Sequence, residues 1–254
     1  MLMYLKAMTT AKKRNYKKTL FIIPYLFTYL NAIFGFLCIL KALDGDYYTA
    51  AYYIILAACM DSIDGRLARA LGSASYFGME LDSLCDAISF CLAPGVLLYC
   101  WFPEDLGMFA RLSLILYLCA GLYRLARFNV TQEKQQTYFI GLPTPIAAFF
   151  IASLILSHTW ISTHIIKILL HKTFLFPIIA GIAFLMVSPI PFYSFKRYKL
   201  KLPFDYIKLL LGFALVTWMV LYGYPLLFFA IVAYILSGIV SFVCKKLLII
   251  FSAK

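Results

Sequence analysis

Residues 59–87 read CMDSIDGRLARALGSASYFGMELDSLCDA. Asp61, Asp64, Asp82 and Asp86 stand here between long apolar runs, in a chain that is 64% hydrophobic and only 13% charged. The spacing organises them. Asp61 and Asp64 are three apart and share one face at the end of a helix, while Asp82 and Asp86 are four apart on one face at the start of the next. The Gly- and Ser-rich stretch LGSASYFG joins the two. An antiparallel pair with this turn brings all four carboxylates to one place.

Working outward, a mean hydropathy of +0.89 lies beyond ordinary soluble domains. Apolar runs near or above roughly 18 residues predict transmembrane helices. Eight candidate spans are expected, at about 20–43, 47–65, 80–101, 107–125, 143–160, 173–195, 206–222 and 224–244. Runs such as Ile54-Ile55-Leu56-Ala57-Ala58 show no period-2 alternation, so an all-α polytopic bundle is expected rather than a barrel. Residues 1–19 form a basic N-terminal segment, 20–195 a membrane core, and 196–254 a polar loop, a C-terminal hairpin turning at Tyr222–Pro225, and a basic tail. The first apolar run is long enough to span and no A-x-A cleavage site follows it, so a retained helix is expected rather than a signal peptide.

The net charge of +12 invites a nucleic-acid reading. Threading eight spans from a cytoplasmic N-terminus leaves 19 of the 23 basic residues on the cytoplasmic side, with only Lys41, Arg111, Lys167 and Lys172 opposite. That is the positive-inside bias, with attraction to anionic headgroups as a secondary gain. No basic patch with interleaved aromatics is left over, so no nucleic-acid partner is expected. Both termini and the carboxylates fall on the cytoplasmic face of a cell membrane.

The cysteines (38, 59, 85, 91, 100, 119 and 244) have neither CxxC nor Cys/His spacing and read as buried small apolar residues. His158, His164 and His171 fall on the far side between helices five and six, where a surface role is expected. Pro143 and Pro145 suit the first turn of the fifth helix.

Four bare carboxylates repel one another. On insertion scales each costs about 2.5–3.5 kcal/mol at a bilayer centre, and less near the interface. Oxygen-only ligands suit a hard cation such as Mg²⁺, Mn²⁺ or Ca²⁺, and two ions could share the groups and clamp a pyrophosphate. Arg66 and Arg69 add fixed cations. Gly65 removes a side chain beside Asp64 and lets a large ligand approach. Glu80 lies on another face, reads as solvated or capping, and is left out of the site.

The pattern D-x2-D-G-x2-A-R-x8-G-x3-D-x3-D is kept at Asp61, Asp64, Gly65, Ala68, Arg69, Gly78, Asp82 and Asp86. It resembles the motif of the CDP-alcohol phosphotransferases, over roughly residues 20–195. The resemblance implies a transfer dependent on Mg²⁺ or Mn²⁺, in which a CDP-linked lipid gives its phosphatidyl group to an alcohol and CMP leaves. It implies that Asp61, Asp64 and Asp82 hold a metal pair, with Asp86 near the second ion and acting as general base. Gly65, Ala68 and Arg69 would sit against CMP, with Gly78 giving room beside the nucleotide. In the first helix, Thr28, Asn31 and Gly35 form a small polar stripe. It is similar to the family's P-N-x-x-T-x-x-N segment, with Tyr25 replacing the first Asn, and Thr28 and Asn31 are carried over as CDP-lipid contacts.

The motif does not name the acceptor. YRLARFNV (123–130) and GLPTPIAA (141–148) resemble the membrane-integral phosphatidylserine synthases of that family. Arg124 and Arg127, three apart on one face, are expected to bind the carboxylate of L-serine or the lipid phosphate of CDP-diacylglycerol, with Asn129 as a further donor. Phosphatidylglycerophosphate and phosphatidylcholine synthases are the alternatives within the family. A homodimer is implied by resemblance alone. A cation or proton transporter would place its carboxylates near the midplane, often within an internal repeat, and this chain does neither.

Overall fold

The computed structural model describes residues 2–73, 75–102, 106–131, 138–158, 172–193 and 224–252. The expected seventh span at 206–222, the polar loop 196–205, residues 132–137, and His164 and His171 lie outside them. The architecture is helical: α1 (Leu2–Leu43), α2 (Tyr47–Ala70), α3 (Tyr76–Asp86), a π-helical segment (Ala87–Leu92), α4 (Ala93–Trp101), α5 (Met108–Thr131), α6 (Thr144–Ser157), α7 (Lys172–Val187) and α8 (Tyr224–Ser252).

Local chemistry sets the turns that carry the site. α1 stops at Asp44-Gly45, where Gly45 has φ +81°, and Asp46 caps α2 by accepting from Thr49 N–H at 3.2 Å. α2 ends with Gly72 at φ +62° and Ser73 N–H reaching back to Ala68 O at 2.9 Å, a glycine-closed helix end. Ser75 then caps α3 through Gly78 N–H at 2.9 Å.

α3, the π segment and α4 make one continuous 26-residue path. The π segment is its buried midpoint, and Ser89, Phe90 and Cys91 are each 0% exposed. A π-turn widens the helical ladder, and here a neighbour bonds one of its carbonyls. Tyr117 Oη–H on α5 donates to Phe90 O at 2.8 Å. Close approach needs small partners. A Cβ on Gly35 of α1 would strike Ser89, and one on Gly121 of α5 would strike Cys91. Alanines 50, 51, 57 and 58 do the same service on the buried face of α2.

Among the described residues four helices are long and apolar enough to cross a membrane: Ile22–Leu43, Tyr76–Trp101, Met108–Thr131 and Leu226–Cys244. They expose large apolar side chains, among them Phe36, Ile115 and Phe229, as a lipid-facing surface requires. The chain is a multi-pass membrane protein. The described residues do not show eight spans. α2 is 24 residues long, but its last turns carry the charges of the site. α6 has 14 residues, which at about 1.5 Å per residue falls short of a ~30 Å hydrocarbon core, and it is buried along most of its length.

The expected span at 173–195 is also cut short. Pro189 and Pro191 end α7, and Pro191–Tyr193 instead pairs antiparallel with Tyr138–Ile140, so a two-stranded ribbon stands among the helices of the described residues. Helix three starts at Tyr76 rather than 80. α8 rests on α6 and the ribbon, with Phe228 against Phe150 and Gly238 against Phe192. Among the cysteines, Cys119 and Cys244 are exposed rather than buried, on apolar helices facing outward. His158 is exposed, edge-on to Trp101 with ring centroids 5.5 Å apart.

Gly35→Ala and Gly95→Ala should therefore differ in sign. A Cβ at Gly35 meets Ser89 backbone, whereas one at Gly95 meets nothing within 4 Å. Gly35→Ala is expected to cost about 1–3 kcal/mol by overpacking, and Gly95→Ala to be neutral or to gain a few tenths by helix propensity, about 0.5–1 kcal/mol at most. Thermal denaturation of the detergent-solubilised protein reads both.

Candidate functional site

The α2–α3 turn delivers three of the four aspartates to one point. Asp61, Asp64 and Asp82 each offer a carboxylate oxygen, and these oxygens lie within 4.8 Å of one another. Asp64 is 4% exposed, and its Oδ2 has no hydrogen-bond partner among the described residues. Asp61 and Asp82 are half-buried. An unsatisfied buried carboxylate oxygen is unfavourable, and acceptor-only groups converging at this separation suit a hard cation. The donor set therefore fits a divalent metal.

Asp86 stands outside this close set. It is one turn further along the helix, buried, and its Oδ1 accepts from Asn31 Nδ2 of α1 at 2.9 Å. Ser89 Oγ–H in turn donates to Asn31 O at 2.8 Å. Thr28, one turn before Asn31, is buried and its hydroxyl donates to Pro24 O, one turn back, at 3.2 Å.

The residues expected against a nucleotide divide. Gly65, Ala68 and Arg69 lie along the last turns of α2, and Arg69 is exposed. A Cβ on Gly65 would meet only the Arg69 guanidinium, at 3.5 Å, so the surface beside Asp64 is open. At Gly78 the room is already used. A Cβ there would come within 2.9 Å of the Tyr25 ring, and Tyr25 Oη shares a 2.8 Å hydrogen bond with Ser75 Oγ. The residue that departs from the family segment thus packs into the space that Gly78 leaves.

Arg124 and Arg127 do not form one fork. Arg124 is 7% exposed and its Nη1 donates to Thr144 Oγ1, at the start of α6, at 3.2 Å. Arg127 donates instead to three backbone carbonyls: Val187 O at 2.8 Å, Met186 O at 3.3 Å and Ile140 O at 2.6 Å. It closes the C-terminal end of α7, where carbonyls lack helical partners, and ties it to the ribbon. Asn129 links helices as well, accepting from Ser83 Oγ–H at 3.1 Å and donating to Glu80 Oε2 at 3.3 Å. Glu80 is accordingly neither solvated nor a cap but a half-buried partner across the α3–α5 interface. No periodicity pointed to this pair, because its two members lie 49 positions apart.

With this geometry in place, residues 21–188 match the family description "CDP-alcohol phosphatidyltransferase". The chain belongs to that family. This CDP-alcohol phosphatidyltransferase is 33% identical over 182 residues to a CDP-diacylglycerol–serine O-phosphatidyltransferase of Helicobacter pylori, covering 71% of this chain and 75% of the relative. It is 34% identical over 176 residues to the protein of the same name in Bacillus subtilis, covering 69% of this chain and 92% of the relative. It is 40% identical over 137 residues to an archaetidylserine synthase of Methanothermobacter thermautotrophicus, covering 53% of this chain and 58% of the relative. The family match ends at 188, so the ribbon's second strand and α8 lie beyond it.

If Arg127 is a clamp rather than a ligand, Arg127→Ala should lower the melting temperature, at a cost of about 1.5–3 kcal/mol for lost charged hydrogen bonds. The KM for the acceptor should stay within twofold. A tenfold rise in KM at unchanged melting temperature would return Arg127 to the acceptor site.

Proposed function

We propose that the chain is a phosphatidylserine synthase, moving the phosphatidyl group of CDP-diacylglycerol onto the hydroxyl of L-serine with release of CMP. The observation that carries this reading is that relatives named for a serine phospholipid, in two bacteria and an archaeon, match 53–71% of this chain at 33–40% identity. The complete eight-position aspartate motif supports the chemistry.

In this reading Asp61, Asp64 and Asp82 hold divalent cations, two ions of Mg²⁺ or Mn²⁺, with Asp86 beside the second. When bound, such ions stabilise charge on phosphoryl oxygens and on the departing CMP. Asp86 accepts the serine hydroxyl proton as the new oxygen–phosphorus bond forms and the bond to CMP breaks. It is buried and held in place, as a base that must meet a hydroxyl in one geometry should be. Gly65, Ala68 and Arg69 offer an open surface for the cytidine nucleotide, and Thr28 lies near it. In this reading Arg124 of α5, buried against the N-terminal end of α6, takes the serine carboxylate, with Asn129 as a further donor.

An apolar groove of about 290 Å³, lined by Cys91, Gly95, Val96, Tyr99, Leu114 and Leu118 among others, starts one turn past Asp86. It supports a lipid donor. The positive-inside bias of the basic residues supports a site and both termini on the cytoplasmic side of the cell membrane. Residues 20–195 act as the catalytic core and 196–254 as an appended segment. The enzyme works as a homodimer.

The test is CMP release by purified protein with Mn²⁺ or Mg²⁺ and CDP-diacylglycerol, offered serine, glycerol-3-phosphate, inositol and choline. Serine alone is expected to support turnover. CMP with glycerol-3-phosphate but not serine overturns the acceptor, and no CMP with any acceptor overturns the enzyme. Asp86→Asn is expected to bind CMP as the wild type does and to lose about 10²–10⁴-fold in kcat, the range for a missing general base.

A further inference from the structure

The sequence offers Asn31 as a nucleotide contact, and the structure gives its side chain to another partner. Asn31 is 0% exposed. A carboxylate can only accept, so the amide must turn its NH₂ toward Asp86, and it does so at 2.9 Å. That choice leaves Asn31 Oδ1 buried and without a hydrogen-bond partner among the described residues. An apolar side chain would remove that penalty but leave the buried Asp86 Oδ1 without its donor. The asparagine is therefore explained by Asp86 and not by the packing around it.

The backbone behind the amide is fixed as well. Ser89 Oγ–H donates to Asn31 O at 2.8 Å, and Gly35, one turn on, lies directly against Ser89. Ser89 belongs to the π segment that begins immediately after Asp86. α1 is thereby registered to the same stretch of chain that carries the carboxylate.

We propose that Asn31 is a positioning residue for Asp86. Its amide fixes Oδ1 and leaves the other carboxylate oxygen to take the proton of the incoming hydroxyl. The proposal rests on the functional reading above, in which Asp86 is the base. It separates two roles for one residue: an amide that holds the base acts on turnover, and an amide that holds the nucleotide acts on donor binding.

A double-mutant cycle decides between them. CMP release is measured for wild type, Asn31→Ala, Asp86→Asn and the double variant, with whichever acceptor supports wild-type turnover. CMP affinity is measured by calorimetry on each. Asn31→Ala is expected to lower kcat about 10–100-fold, within the span of a compromised base, with KM for the CDP-lipid and CMP affinity within twofold. In the Asp86→Asn background the same change should alter kcat less than threefold. Asn31→Gln, which keeps the donor, should recover part of the loss. Asn31→Asp keeps the shape without the donor and should lose at least as much as Asn31→Ala, so it serves as second variant if the alanine protein does not fold.

Equal losses in both backgrounds, or a tenfold weaker CMP affinity in Asn31→Ala, would overturn the proposal and leave the functional reading standing. Turnover with an acceptor other than serine would overturn the acceptor and leave the cycle interpretable. No CMP with any acceptor would overturn both.

Discussion

Three carboxylates whose oxygens lie within 4.8 Å of one another, at the end of an apolar bundle, repel strongly where little water screens them. Much of the surrounding structure serves to hold that arrangement. The Gly72 turn and the Ser75 cap fold α3 back beside α2. The π segment then lets α3 continue into the bilayer while Asp86 stays aimed at α1. Gly35 and Gly121 let α1 and α5 close on that segment from two sides. Protein dipoles alone do not neutralise the cluster, since Asp64 Oδ2 is buried with no partner among the described residues. A divalent cation would supply the missing charge, and in this family's chemistry it would do so where a pyrophosphate must be held.

The aspartates divide into two kinds. Asp61, Asp64 and Asp82 face one another, whereas Asp86 faces an amide. Spacing alone could not make this distinction, because positions 82 and 86 share a helix face. The family resemblance implied it, and the fold gives it a physical form, with α1 bringing the Asn31 amide within 2.9 Å of Asp86. In the proposed mechanism it separates ion-holding from proton transfer. The first needs several acceptors in one place, and the second needs one acceptor in one orientation.

Much of the site was readable in the chain because its information is local. Asp61 and Asp64 sit on one helix, Asp82 and Asp86 on the next, and a short turn leaves one way to bring them together. The acceptor side was less readable because its contacts are long-range. Arg124 and Arg127 share a face by periodicity, yet α6 takes one and the end of α7 takes the other. Tyr25 and Gly78 lie far apart in sequence and are complementary only in space. The described residues carry fewer helices of spanning length than the apolar runs suggested, for a related reason. Hydropathy reports burial as well as membrane, and α6 is apolar because it is enclosed by protein. Pro189 and Pro191 divide an otherwise continuous apolar run, and their effect was local and readable, but the strand pairing that follows was not.

The central claim is that the three facing aspartates form a cation site. Mn²⁺ binding to the purified protein, followed by electron paramagnetic resonance as loss of the free-ion signal, tests it without any substrate. The account predicts saturable binding by the wild type, weakened at least tenfold by Asp64→Asn. Lys41 and Asp44 form an exposed ion pair remote from the cluster in the described fold, so Asp44→Asn should leave the binding unchanged. Equal Mn²⁺ affinity in wild type and Asp64→Asn would contradict the account.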